Sequence, residues 1–176
     1  MEVDGMKGSP KLEQNKKEEP MSMMSMVVLT GLVGGILWSS IGYLLYVFHF
    51  TNVHPNVILE PWALGEWKKQ WLGTVISIVF IGIISIGVAL IYYAVLKKAT
   101  SIFVGIGYGI ALFLLVFFVL NPIFPGIEPI GELNRNTIIT SVCVYVLYGI
   151  FIGYSISYEF DELQLRKRQE AEEVPS

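Results

Sequence analysis

Residues Ile102–Leu120 read "IFVGIGYGIALFLLVFFVL". A helix of a soluble bundle keeps one polar face for water. This stretch has none, and a helix that is apolar all round meets lipid. A soluble four-helix bundle is therefore set aside.

The rest of the chain repeats the theme. Of 176 residues, 53% are hydrophobic and 15% are charged, against roughly 25% charged in a soluble domain. No Asp, Glu, Lys or Arg occurs over 20–59, 70–96, 99–127 or 136–158. Each gap holds an apolar run of about 18 residues or more, the length of a membrane-spanning helix. The predicted spans are 23–48, 71–96, 102–120 and 137–157. The fold class is an all-α integral membrane protein with four transmembrane helices and its contact partner is the lipid bilayer. Residues 1–20 are polar and too poor in apolar surface to order, so they read as a disordered cytoplasmic tail. The four-helix domain covers 21–158, and 159–176 forms a charged cytoplasmic tail. No cleavable signal peptide is expected, because the first apolar run is too long and no A-x-A site follows it.

Orientation follows Lys and Arg near the span ends. The two tails and the 97–101 link carry nine, and the other two loops carry three, Lys68, Lys69 and Arg135. Both termini are therefore expected in the cytoplasm. The link "KKATS" is short enough to make spans two and three a tight antiparallel hairpin. Beyond span four, "YEFDELQLRKRQEAEE" has helix formers and a Glu162–Arg166 pair one turn apart, so the helix is expected to continue. Arg166, Lys167 and Arg168 are fewer than the four to eight positives that mark lipid recognition.

Chemistry is marked mainly by absences. No ionisable Asp, Glu, Lys or Arg lies in a span, which argues against a proton-coupled transporter. H-E-x-x-H and G-x-S-x-G are missing. No basic face with interleaved aromatics suggests nucleic acid. No cofactor, metal or catalytic residue is assigned. Ser39 and Ser40 lie mid-span with no activating base and are expected to bond backbone. Cys143 is expected to be a small buried hydrophobe.

Glycines four apart recur in the spans: Gly31 and Gly35, Gly105 and Gly109, Gly149 and Gly153. Such stripes let helices approach closely. Packing within one bundle is the first reading, and a homo-oligomer or a protein partner the alternative.

The outer loops hold the remaining candidates for ligand or partner contact. In "TNVHPNVILEPWALGEWKKQW" these are His54, Glu60, Trp62, Glu66 and Trp67. Glu60-Pro61 reads as the start of a short interfacial helix, with Trp67 and Trp71 on one face. His49 and His54 match no standard metal spacing. The second loop, "NPIFPGIEPIGELNR", adds Glu128 and Arg135. Pro122 ends span three, and Pro125-Gly126 predicts a type II turn with positive φ at Gly126. Its Phe and Ile residues are too apolar for water, so the loop is expected to cap the helix ends by packing on the Trp62–Trp71 segment.

Three blocks, "PNVILEPWALGEWKKQWLGTVISIVFIGIISIGVALIYYAVLKK", "FVLNPIFPG" and "NTIITSVCVYVLYGIFIGYSISYE", resemble the YqhR family of membrane proteins of Gram-positive bacteria. The resemblance covers roughly residues 50–160 and leaves the N-terminal tail outside. It implies a four-span protein of the bacterial plasma membrane and carries no activity or site residue. The expected role is a non-enzymatic scaffold or accessory subunit. The alternative is an oligomeric transporter or channel for a small neutral or apolar molecule. An outer-face enzyme using His54, Glu60 and Glu66 is the third reading.

Overall fold

The computed structural model describes residues 22–172, except Trp62, Leu64, Thr100 and Pro125. The expected tail over 1–20 and the last four residues lie outside the described residues. Four helices follow the four uncharged runs: α1 (Met23–Val47), α2 (Trp71–Leu96), α3 (Ile102–Leu114) and α4 (Arg135–Glu172). All four segments are long and apolar enough to cross a membrane, and no strand is present among the described residues. The protein is an all-α, multi-pass membrane protein.

Helix α3 does not stop at Leu114. It widens into a π-helical turn over Leu115–Leu120 and ends in a 3₁₀ turn, Asn121–Ile123. Pro122 explains the change. It has no N–H to donate, and in an α-helix its ring would strike the carbonyl of Phe118. Bonding one residue further along relieves that clash. Helix α4 runs unbroken through the sequence boundary at 158–159, and Arg166 pairs with Glu162 at 2.5 Å one turn away.

The helices pair as α1 with α2 and α3 with α4. This corrects the expected hairpin of spans two and three. The short link joins α2 to α3 in sequence, but small residues decide which helices pack. A Cβ on Gly35 would lie 2.5 Å from Ser85 Cβ and 2.7 Å from Gly82 Cα. A Cβ on Gly149 would lie 2.5 Å from the Gly105 carbonyl oxygen and 2.6 Å from Gly109 Cα. Close backbone approach is therefore built into each pair. Helix α4 bridges the pairs, with Phe151 and Ile152 on Gly34 of α1.

Both pairs converge at the end that carries the termini and the 97–101 link. Val27, Ala89, Tyr92, Ile152 and Ile156 form a buried cluster there. Tyr108 of α3 donates to the Val88 carbonyl of α2 at 2.7 Å and meets the Tyr92 ring edge-on. Ser157 donates to the Ala99 carbonyl at 3.0 Å, which fastens the link to α4. At the opposite end a second cluster, Val57, Phe113, Phe117, Phe124, Ile127 and Leu133, joins both long loops to α3. Cys143 is exposed on α4 rather than buried. Its helical register turns it outward, where an apolar thiol suits lipid as well as a core.

Candidate functional site

Between the two helix pairs, in the half nearer the long loops, lies a cavity of about 380 Å³. Trp38, Ser39 and Gly42 of α1 form one wall, and Ile84, Ser85 and Val88 of α2 the next. The π-helical turn supplies Leu115, Val116 and Phe117, and α4 supplies Ser141, Val144, Tyr145 and Tyr148. Val53, Pro55 and Val57 of the first loop and Phe124 and Ile127 of the second form the roof. Ile84 and Leu115 line the cavity yet are 45% and 47% exposed, so the gap between α2 and α3 opens outward at bilayer depth.

The roof is fixed, not loose. At the end of α1, His49 has φ 64°. The His49 N–H bonds the Tyr46 carbonyl and the Phe50 N–H the Leu45 carbonyl, both at 2.9 Å. That is a Schellman motif with histidine in the place glycine usually takes. The chain then ties to α4. Asn52 N–H donates to Thr137 Oγ1 at 3.1 Å, and Thr140 Oγ1 donates to the Phe50 carbonyl at 3.2 Å. His54 N-caps the 3₁₀ turn Pro55–Leu59, its Nδ1 accepting from the Asn56 N–H at 3.0 Å. Its ring sits edge-on between Tyr43 and Tyr46. Burial holds its pKa below the ordinary histidine value, an effect that a side-chain hydrogen bond with Asn56 opposes in part. Asn56 Nδ2 donates to the Lys68 carbonyl at 2.7 Å and so links the two turns of this loop.

The loop between them departs from the sequence reading. Pro55, not Pro61, occupies the first helical position, because His54 supplies a cap and Glu60 does not. No continuous interfacial helix forms over 61–71. A second 3₁₀ turn spans Glu66–Lys69, and Gln70, extended at ψ 174°, separates it from α2. Trp67 and Trp71 therefore share no helix face. The second loop does pack on the first, but through Phe124 and Ile127 on Val57, with Val53 and Ile58 beside it. Among the described residues these contacts, with Glu60 against Gly126, carry the packing of one loop on the other. Ile127 N–H closes a turn on the Phe124 carbonyl at 3.1 Å. Among the glycines whose φ is described, the positive value belongs to Gly65, at 106°. A side chain at Gly126 would meet the Glu60 carboxylate.

The outer candidates thus have separate places. His54 is a cap and Glu60 lies against Gly126. Trp62 lies outside the described residues, and Glu66 is placed by its backbone alone. Trp67 is 39% exposed. Glu128 and Arg135 are exposed, and no ion pair or hydrogen bond joins them among the described residues. Gly31, Gly35, Gly105, Gly109, Gly149 and Gly153 all face neighbouring helices of the same chain.

Comparison with known proteins gives the lineage. A family model described as "Conserved membrane protein YqhR" matches residues 7–171. The chain belongs to the YqhR family of membrane proteins. A Bacillus subtilis (strain 168) relative described as "Uncharacterized protein YqhR" is 54% identical over 156 residues, which cover 88% of each chain. No solved structure matches. The family match begins at residue 7, so the YqhR unit takes in most of the N-terminal tail that the resemblance over 50–160 had left aside.

What sequence reasoning missed in this YqhR chain is the chamber. Its polar atoms are few. Ser39 donates to the Gly35 carbonyl at 2.6 Å, and Ser85 both donates to the Gly31 carbonyl at 2.6 Å and pairs with Tyr148 at 2.5 Å. Three groups are left over. The Trp38 indole nitrogen is buried and finds no acceptor, and no hydrogen bond engages the hydroxyls of Tyr145 and Ser141, which line the chamber, among the described residues. One signal was available. Trp38, Tyr145 and Tyr148 fall inside uncharged spans, away from the interfacial belt where Trp and Tyr usually sit.

Proposed function

We propose that the protein is a non-enzymatic membrane component that takes up a small neutral or apolar molecule from the bilayer. The chamber carries this reading. The space opens between Ile84 and Leu115 on the surface that faces lipid, so an apolar molecule of the bilayer can fill it. The void is also within the roughly 300–1,000 Å³ range of ligand sites. The outward gap gives such an occupant a route that avoids water. Among the described residues no Asp, Glu, Lys or Arg lines the walls, so a charged occupant would have no counter-ion in a low-dielectric setting. The nine-to-three bias of basic residues supports cytoplasmic termini, which sets the chamber in the outer half of the membrane.

Gly42 offers the test. It lines the chamber, and a Cβ there meets nothing within 4 Å. The purified protein, analysed by native mass spectrometry, retains a small apolar adduct, and Gly42→Phe, which fills the space, loses it. A protein that carries no adduct under any mild detergent, with Gly42→Phe unchanged in all respects, refutes the reading.

A scaffold or accessory role is the second reading. Helix α4 favours it, because it extends as one rod from Ser157 to Glu172 and presents Arg166, Lys167 and Arg168 exposed. Deleting residues 159–176 then removes any co-purifying protein while leaving the adduct in place.

A further inference from the structure

The chamber is apolar almost throughout, but its polar exceptions are not random. Buried tyrosine hydroxyls and indole N–H groups ordinarily find partners. Here Tyr148 has one, Ser85 Oγ at 2.5 Å, and Ser85 in turn is anchored to the Gly31 carbonyl at 2.6 Å. Tyr145, one helical turn nearer the loops on α4, has none among the described residues, although it lines the same space. Its ring is held: Phe113 meets it edge-on at 6.0 Å and Phe117 at 6.3 Å. The hydroxyl is thus positioned without being used. On the facing helix α1, the Trp38 indole nitrogen is also without an acceptor. Both groups can donate, and the indole can only donate; the Ser141 hydroxyl lines the same space and is likewise without a partner among the described residues.

We propose, resting on the chamber reading above, that the occupant is a neutral lipophile with a hydrogen-bond acceptor, a carbonyl on an apolar chain. Its oxygen accepts from the Tyr145 hydroxyl, and the chain lies along Val116, Ile84 and Val88. The Trp38 N–H, on the facing wall, is the second candidate donor. A plain hydrocarbon would leave both donors unsatisfied. A carboxylate would bring a charge to walls that hold no basic residue among those described. The bond to Tyr145 is a positioning contact and fixes which end of the molecule enters first.

The test uses the full chain with Trp62, Trp67 and Trp71 replaced by Phe, so that Trp38 is the sole indole. Three probes of equal chain length carry a terminal bromine as quencher: a methyl ketone, an alkane and a carboxylate. The ketone is expected to quench Trp38 at the lowest concentration. Tyr145→Phe should weaken the ketone about 3- to 10-fold, the range set by one neutral hydrogen bond, and leave the alkane unchanged. A thermal melt of Tyr145→Phe checks that the bundle persists. Equal quenching by ketone and alkane overturns the acceptor proposal but leaves the apolar chamber standing. Ketone preference that survives Tyr145→Phe overturns the assignment to that hydroxyl. Preference for the carboxylate overturns neutrality. Failure of every probe to quench Trp38 overturns the chamber reading itself.

Discussion

Gly149 is, with Gly109, one of the two tightest points of the α3–α4 contact. A single methyl group there should separate two helices. In Gly149→Ala the new Cβ would stand 2.5 Å from Gly105 O, 2.5 Å from Gly109 N and 2.6 Å from Gly109 Cα. All three are backbone atoms on a regular helix and none can rotate away. Ordinary contact is about 3.5–4.0 Å, so α3 must retreat by about 1 Å, which forfeits a quarter to a half of each dispersion contact it leaves. Overpacking of this kind costs about 1–3 kcal/mol, and rigid backbone on three sides places Gly149 at the upper end. Alanine returns about 1 kcal/mol of helix propensity. The net loss is about 2 kcal/mol, or about 4–8 °C in melting temperature for a chain of this size. Gly107 lies on the same α3 with nothing within 4 Å of its Cβ position. Gly107→Ala therefore takes only the propensity gain, about 2–4 °C upward. The assay is thermal unfolding of both variants in one detergent, followed by circular dichroism. Shifts of the same sign would refute the packing argument, because the two substitutions differ only in what the methyl meets.

Gly65→Ala should cost about 1–3 kcal/mol, since φ 106° with ψ 163° suits only glycine. Gly126→Ala should cost less than about 1 kcal/mol, because the Glu60 carboxylate it meets is a flexible end; denaturant melts rank the pair. Burial lowers the pKa of His54, so its folded state prefers the neutral ring whose Nδ1 accepts from Asn56. Stability from this group is full above about pH 6.5 and is lost as pH falls through the lower folded value. His54→Asn should flatten that acid limb of the melting temperature. Topology is tested in a Cys143→Ser background. An impermeant thiol reagent on intact cells should label Asn52→Cys, which is exposed beside the buried Thr51, and spare Ser9→Cys. The reverse pattern would invert the orientation.

The spans were legible because lipid demands uncharged helices, and that demand writes itself over some twenty residues at a time. Gly31–Gly35, Gly105–Gly109 and Gly149–Gly153 were legible as stripes, yet their partners were not. Which stripe meets which depends on three-dimensional register, and the short 97–101 link pointed to the wrong pair. The turns were harder. Glu60-Pro61 and His54-Pro55 both resemble helix starts, and only the imidazole bond to Asn56 decides between them. The chamber was invisible because it is a place where residues fail to meet. Trp38, Ser85, Val116 and Tyr145 lie on four helices, and no local pattern links them.

The chamber reading depends on that space being occupied by an apolar molecule. Anomalous scattering tests it most directly. Crystals grown in a lipidic phase with a bromine-labelled methyl ketone should show a bromine peak inside the bundle, between Val88 and Val116 and beneath Phe124 and Ile127. Bromine peaks confined to the outer helix surfaces, with α2 closed against α3 and no chamber left, would contradict it.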